Sequence, residues 1–312
     1  MTTGEVAAKL SEWCQRWLDS PVDQVLFATG FASHVFGVRL GDGREVVIKA
    51  RRFTPRLVGA ASVQHHMWTA GFPCPQPLAG PTEFGGAWIS AETRVMGGAP
   101  LVDDPEAPEL HAAALAEFIR LAARCEIVPT LVPPPDFAHW NHTETGHWPR
   151  RDRGDPDLNR EPDPIWLSTI VDRVRSRLAM FKRPSVIGHA DWWSENLHWV
   201  GHRLHVVQDW DSVTAQPEAI LAGEAAYLFA ATTFELNGEA PGATVEETER
   251  FLVAFEQARG RPWSADEREA AWAAGLWVAA FHARLSRFED RGEGFADLVR
   301  QDAPERLRRA GA

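Results

Sequence analysis

The stretch Val186-Ile187-Gly188-His189-Ala190-Asp191-Trp192-Trp193-Ser194-Glu195-Asn196, followed by Val206-Val207-Gln208-Asp209-Trp210-Asp211, decides the reading of this 312-residue chain. Residues 186–189 and 204–207 are short apolar runs that read as strands flanking a loop. The loop carries His189-x-Asp191-x4-Asn196 and runs on to Asp209. These residue types suit phosphoryl transfer from a nucleotide. A triphosphate needs a hard cation, and hard cations take oxygen ligands such as an Asn carbonyl and an Asp carboxylate. The attacking hydroxyl needs a carboxylate that orients it and accepts its proton. Asp191 suits the base role, and Asn196 and Asp209 suit the metal. His189 reads as a structural histidine that ties the loop by a hydrogen bond.

Upstream, Val6, Leu10, Trp13 and Trp17 recur at helical spacing and predict an opening helix. Apolar β-rich runs over 24–28, 34–40 and 45–50 predict strands, with Gly41-Asp42-Gly43 as a hairpin turn. A helix is expected over 55–70. The proline-rich segment 71–77 cannot continue it. Two more strands follow, the second over 87–95. Met96-Gly97-Gly98 then reads as a boundary between a β-rich N-terminal lobe, 1–97, and a larger helical lobe, 98–312. The expected class is therefore α+β and bilobal. Residues 131–164 form a long irregular stretch, which reads either as a functional loop or as a partly disordered segment.

Two N-terminal features fit a nucleotide site. Residues 28–38 form a loop candidate in which Gly30 allows close backbone approach and Ser33 can donate to a phosphate. Lys49 ends the apolar run Val46-Val47-Ile48. A lysine there is poorly placed for solvent and well placed to hold phosphates.

Taken together, these motifs resemble those of the aminoglycoside phosphotransferase and choline kinase-like family, which has a protein-kinase-like fold. The family pattern is His-Gly-Asp-x4-Asn followed by Ile-Asp-Trp-Asp. The resemblance covers about residues 25–229. It implies an ATP- and Mg²⁺-dependent kinase, with GTP not excluded as the donor. It implies Asp191 as catalytic base, Asn196 and Asp209 as metal ligands, and His189 and Asp211 in support. Gly30, Ser33 and Lys49 would meet the nucleotide phosphates. Residues 91–96, including Glu92 and Val95, would form the hinge whose backbone meets the base. The acceptor would be a hydroxyl of a small molecule: an aminoglycoside, an amino alcohol or a sugar.

The chain departs from the family pattern at Ala190, where the motif has Gly, and at Gln208, where it has an apolar residue. The family lysine also pairs with a glutamate on the following helix, and residues 57–68 contain no acid. Gln64 or His65 would then take part of that role, or Asp209 would hold the lysine. The same gap supports an alternative, a non-catalytic nucleotide- or metabolite-binding pseudoenzyme. A third reading, a metal-dependent hydrolase, gathers His189, Asp191, His198, His202, His205 and Asp209, but their spacing argues against it.

Composition narrows the partners. A formal net charge of −11 disfavours nucleic acid. Cys14, Cys74 and Cys125 are too few and too scattered for a disulfide framework or a zinc site. No signal peptide or membrane span is visible, so the chain reads as cytoplasmic, with no membrane partner. The oligomeric state is left open. Glu218, Glu224, Glu235, Glu239, Glu246, Glu247 and Glu249 read as solvated helix faces. Most tryptophans read as core. Trp140 and Trp148, in the irregular stretch, are the better ligand candidates.

Overall fold

Five antiparallel strands follow a first helix in the computed structural model, which describes residues 3–30, 34–126, 128–151, 157–231, 242–289 and 294–312. They are β1 (Val22–Gly30), β2 (His34–Leu40), β3 (Glu45–Arg51), β4 (Pro77–Phe84) and β5 (Ala87–Thr93), in the order β1-β2-β3-β5-β4. Gly43 makes the β2–β3 turn at φ +89°, and its N–H donates to Leu40 O at 2.9 Å. Successive strand residues face opposite sides of a sheet. Val46 and Ile48 of β3 therefore pack with Leu10, Trp13 and Cys14 of α1 (Thr3–Leu18) in one small core. The alternate residues, Lys49 and Arg51 among them, face the other side. There α2 (Arg56–Thr69) packs near the sheet. The alternation that buries Val46 and Ile48 thus delivers Lys49 to the space beneath α2.

The chain leaves β5 through Gly97 and Gly98, both at positive φ (+88° and +72°). A Cβ on Gly98 would lie 3.0 Å from His198 Cβ, so glycine lets the linker run close over the next hairpin. Ala99 and Trp199 then exchange backbone hydrogen bonds of 3.0 and 2.8 Å.

The rest is mainly helical, as expected from the sequence. Helices α3 (Ala107–Ala122), α4 (Ile165–Met180), α5 (Glu218–Leu228), α6 (Val245–Ala258), α7 (Ala265–Phe288) and α8 (Gly294–Arg309) surround one large apolar core. Capping boxes start two of them: Thr244 with Glu247 opens α6, and Ser264 with Glu267 opens α7. Helices α5 and α7 cross closely at Gly223, where an added Cβ would lie 1.9 Å from Ala271 O. Among the described residues, no helix is long and apolar enough to cross a membrane.

The strands expected over 186–189 and 204–207 are present: β6 (Ser185–His189) pairs with β9 (Val213–Pro217), and β7 (Leu197–Val200) pairs with β8 (Arg203–Val207). Two other expectations are corrected. Trp148 is fully buried and its indole N–H donates to Asp163, so it is core rather than a ligand platform. Glu224 is also fully buried, not on a solvated face. Trp140 remains half-buried, packed against the core's edge.

Candidate active site

The site begins where β6 ends. His189 is fully buried, with the rings of Trp192, Trp210 and Phe118 at 5.9, 6.2 and 6.3 Å. Burial pushes its imidazole down to about 4, so the ring is neutral at physiological pH. Its Nε2 lies 3.1 Å from Gln208 O, which places the proton on Nε2 as donor. Two backbone bonds run alongside: Ala190 N–H to Ser212 O (3.0 Å) and Gln208 N–H to Asn196 O (2.8 Å). Segments 189–196 and 208–212 are therefore one hydrogen-bonded unit. Phe118 stacks on Trp210 at 5.4 Å, and the Trp192 indole donates to His111 O at 3.1 Å. The motif's tryptophans are thus the unit's foundation. Ala190 keeps a negative φ, so the methyl group in place of the motif Gly costs no backbone strain.

Asp191 is half-buried at the head of this unit. Asn196 Nδ2 donates to Asp191 O at 2.9 Å and to Asp191 Oδ2 at 3.0 Å. Asn196 spends its amide N–H groups on Asp191, which leaves the carbonyl end of the amide for a cation. Asp209 adopts the left-handed conformation (φ 53°, ψ 56°). That conformation is uncommon outside glycine, and such residues cluster at functional sites. Its side chain is 45% exposed and meets Lys49 Nζ at 3.3 Å. The cleft walls push the Asp209 carboxyl up, but Lys49, His189 and Arg51 more than offset this and hold it below the usual carboxylate range.

Lys49 has a second partner. Glu92 Oε1 lies 3.4 Å from Nζ. Glu92 Oε2 in turn accepts from Gln64 Nε2 at 2.8 Å, and Gln64 also donates to Pro75 O at 3.2 Å. Burial disfavours the Lys49 ammonium, yet Glu92, Asp209 and Asp211 outweigh it and hold the lysine above its ordinary value. The lysine therefore stays charged. Asp211 is engaged by Arg51 at 2.7 Å, and Arg51 also donates to Ser90 Oγ at 3.1 Å. Arg56 adds a bond to Asp211 O at 3.0 Å and another to Pro133 O at 3.0 Å. These arginines fasten the sheet and α2 to the 209–212 turn.

Of the residues singled out in the sequence, Lys49, Asp209, Asp211, Asn196, Asp191, His189 and Glu92 form this connected cluster. Gly30 is exposed at the end of β1, paired with His34. Ser33 lies outside the described residues. Val95 is half-buried just past β5. His65 is exposed beside Trp68. Sequence reasoning missed Arg51, Arg56 and the side-chain contact of Glu92. The signal available for Arg51 was its position two residues after Lys49, which puts both on one face of β3. The hydrolase cluster does not form: His205 bonds Met96 O at 2.9 Å and His202 bonds Asp104 at 3.1 Å. Among the described residues, no group of three or more His, Cys, Asp or Glu could hold a metal ion.

The fold is shared with solved small-molecule kinases. Amicoumacin kinase hAmiN, solved with AMP-PNP, Ca²⁺ and Ami, superimposes with a TM-score of 0.64 at 12% identity, over 98% of this chain and 96% of that one. Aminoglycoside phosphotransferase APH(4)-Ia gives 0.58 at 16% identity, over 98% and 99%. A choline/ethanolamine kinase family protein from Mesorhizobium loti gives 0.55 at 16% identity, over 100% and 94%. At such identities the likeness shows the protein-kinase-like fold. No curated protein matches the sequence. A family model, that of the phosphotransferase enzyme family, matches residues 23–220. That span contains the whole Lys49–Asp211 cluster, and the chain belongs to the phosphotransferase enzyme family.

Proposed function

We propose that the protein transfers the γ-phosphoryl group of ATP, with Mg²⁺, to a hydroxyl of a small molecule. The observation that carries this reading is the convergence of two pairs on one backbone unit: Asp191 with Asn196, and Asp209 with Lys49. Asp191 takes the acceptor hydroxyl's proton, and Asn196 fixes the carboxylate that does so. Lys49 holds the donor's phosphates. Asn196 and Asp209 hold the metal, and Mg²⁺, when bound, neutralises triphosphate charge. Residues 1–97 carry the nucleotide, with Gly30 and Ser33 over the phosphates and the backbone of Glu92 to Val95 beside the base; GTP fits the same reading as an alternative donor. Residues 98–312 carry the acceptor.

Acceptors of the aminoglycoside, amino alcohol and sugar classes follow from the family. Solved proteins that share the fold include a kinase named for amicoumacin and a thermostable mutant of aminoglycoside phosphotransferase APH(4)-Ia bound to AMP-PNP and hygromycin B. The test is a panel of such hydroxyl compounds with Mg·ATP, following ATP consumption and phosphorylated product. Transfer to one class supports the reading. Metal-dependent ATP binding with no transfer to any hydroxyl would overturn it.

A further inference from the structure

We infer that Glu92, presented by β5 and oriented by Gln64, is the carboxylate that sets Lys49, so that the lysine–acid pair of this nucleotide site is closed within the sheet rather than between sheet and helix. The inference rests on the phosphotransferase reading above and adds a positioning residue to it.

The β3–β5 register places Lys49 opposite Ser90 and Val47 opposite Glu92. Lys49 and Glu92 are thus diagonal neighbours on one face, within reach of long side chains. Their side chains are 10% and 12% exposed and 3.4 Å apart. Helix α2 supplies no acid here. Its contribution is Gln64, 6% exposed, with its amide N–H groups spent on Glu92 and on Pro75 O. A neutral amide directs the carboxylate without adding charge. A glutamate at this position would add a further carboxylate around Lys49, beside Glu92, Asp209 and Asp211, and like charges crowded in one site disfavour ionisation. Gln64 is the residue compatible with an acid already in the sheet.

The consequence concerns control. Where the acid is carried by the helix, helix position makes or breaks the ion pair and so gates catalysis. Here both partners sit on adjacent hydrogen-bonded strands. Displacing α2 removes Gln64 but leaves Lys49 and Glu92 together, so the lysine is preset. Without Glu92, Lys49 has one remaining close carboxylate, Asp209, and competes with the metal for it.

Calorimetric titration of ATP at stepped Mg²⁺ concentrations tests this without an acceptor. The native chain should bind ATP in a Mg²⁺-dependent way; if it does not, the phosphotransferase reading falls and takes this inference with it. Given that binding, Glu92→Gln should raise the Mg²⁺ needed for half-maximal binding by about tenfold, the effect of losing one close charge partner. The exchange variant Gln64→Glu/Glu92→Gln, which moves the charge across the same hydrogen bond, should recover to within about threefold of native. Recovery stops short because a carboxylate at position 64 has no N–H for Pro75 O. A merely structural glutamate predicts no rescue. Glu92→Gln within twofold of native, or an exchange variant no better than Glu92→Gln alone, overturns the inference. Melting temperatures identify any variant that fails to fold. Should Glu92→Gln be that variant, Glu92→Asp replaces it. It withdraws the carboxylate by one methylene and should raise the Mg²⁺ requirement about threefold; no change there overturns the inference equally.

Discussion

Two buried glutamates in this molecule each accept from a glutamine amide, yet only one is ion-paired. Glu92, in the cleft, takes Gln64 Nε2 at 2.8 Å and Lys49 at 3.4 Å. Glu224, in the helical core, takes Gln216 Nε2 at 2.9 and 3.2 Å, and among the described residues no cation reaches it. Burial pushes the Glu224 carboxyl well above the usual range, with Gln216 opposing only in part. The amide is common to both sites, so the cation makes the difference. An amide orients a buried carboxylate, whereas a cation also supplies the opposite charge. Beside Lys49 a glutamate is half of an ion pair; beside Gln216 alone it is a residue of the core.

Lys49 is where the largest effect is expected. Lys49→Met turns the cleft pair into a copy of the core pair. It should cut kcat/KM for ATP by about a hundredfold, in the range expected for losing a charge aimed at the transferring group. It should also lower stability by about 3 kcal/mol, because Glu92 is left buried without a cation. Steady-state kinetics and urea unfolding read the two effects separately. A loss of activity with no loss of stability would mean that Glu92 is not held as described.

Arg51→Leu probes the neighbouring pair. It strands Asp211, but Arg56 still holds the Asp211 backbone. Unfolding in urea should show a loss of about 2 kcal/mol, below the full cost of breaking a buried pair. An unchanged midpoint would remove Arg51 from the account of how sheet and turn are fastened.

Glu224→Gln sharpens the other side with the smallest effect. A carboxyl whose folded pKa lies above its unfolded value, here the ordinary 4.5, binds more protons when folded. Its contribution is fully present below about pH 4.5 and is lost as pH rises through the folded value. The glutamine variant cannot lose it. Its melting temperature should exceed the native one at pH 8 by about 2–4 °C, the shift expected for about 1 kcal/mol in a chain of this size. The gap should close by pH 4. An equal gap at both pH values would mean that Glu224 does not titrate with folding.

Local chemistry was the readable part of this sequence. The Gly41-Asp42-Gly43 turn, the 3.6-residue periodicities and the apolar run Val46-Val47-Ile48 that ends at Lys49 each reflect neighbours a few residues apart. They correctly put a sheet before a helical part. The segment from His189 to Asp211 was readable because its residues are set by one short stretch and by spacing. What escaped depends on long-range register. The absence of an acid in α2 left Gln64, His65 or Asp209 to serve Lys49; Asp209 does meet it, but Glu92 also reaches it, through the β3–β5 ladder, 43 positions away in the chain. The pairing of β6 with β9 escaped because Val213-Thr-Ala-Gln-Pro217 carries little apolar periodicity of its own. Glu224 read as solvated because charge runs usually are; its burial follows from the close α5–α7 crossing at Gly223.

Asp191 is the proposed proton acceptor in a site whose nucleotide would be held by other residues. Asp191→Asn keeps the size and the hydrogen-bonding shape of the side chain while removing the base. Mg·ATP affinity and phosphoryl transfer to the best acceptor should be measured on the native and variant chains side by side. Affinity should stay within about threefold of native, and transfer should fall by about 10²–10⁴-fold, the usual contribution of a positioned general base. Transfer at the native rate in the variant would contradict it.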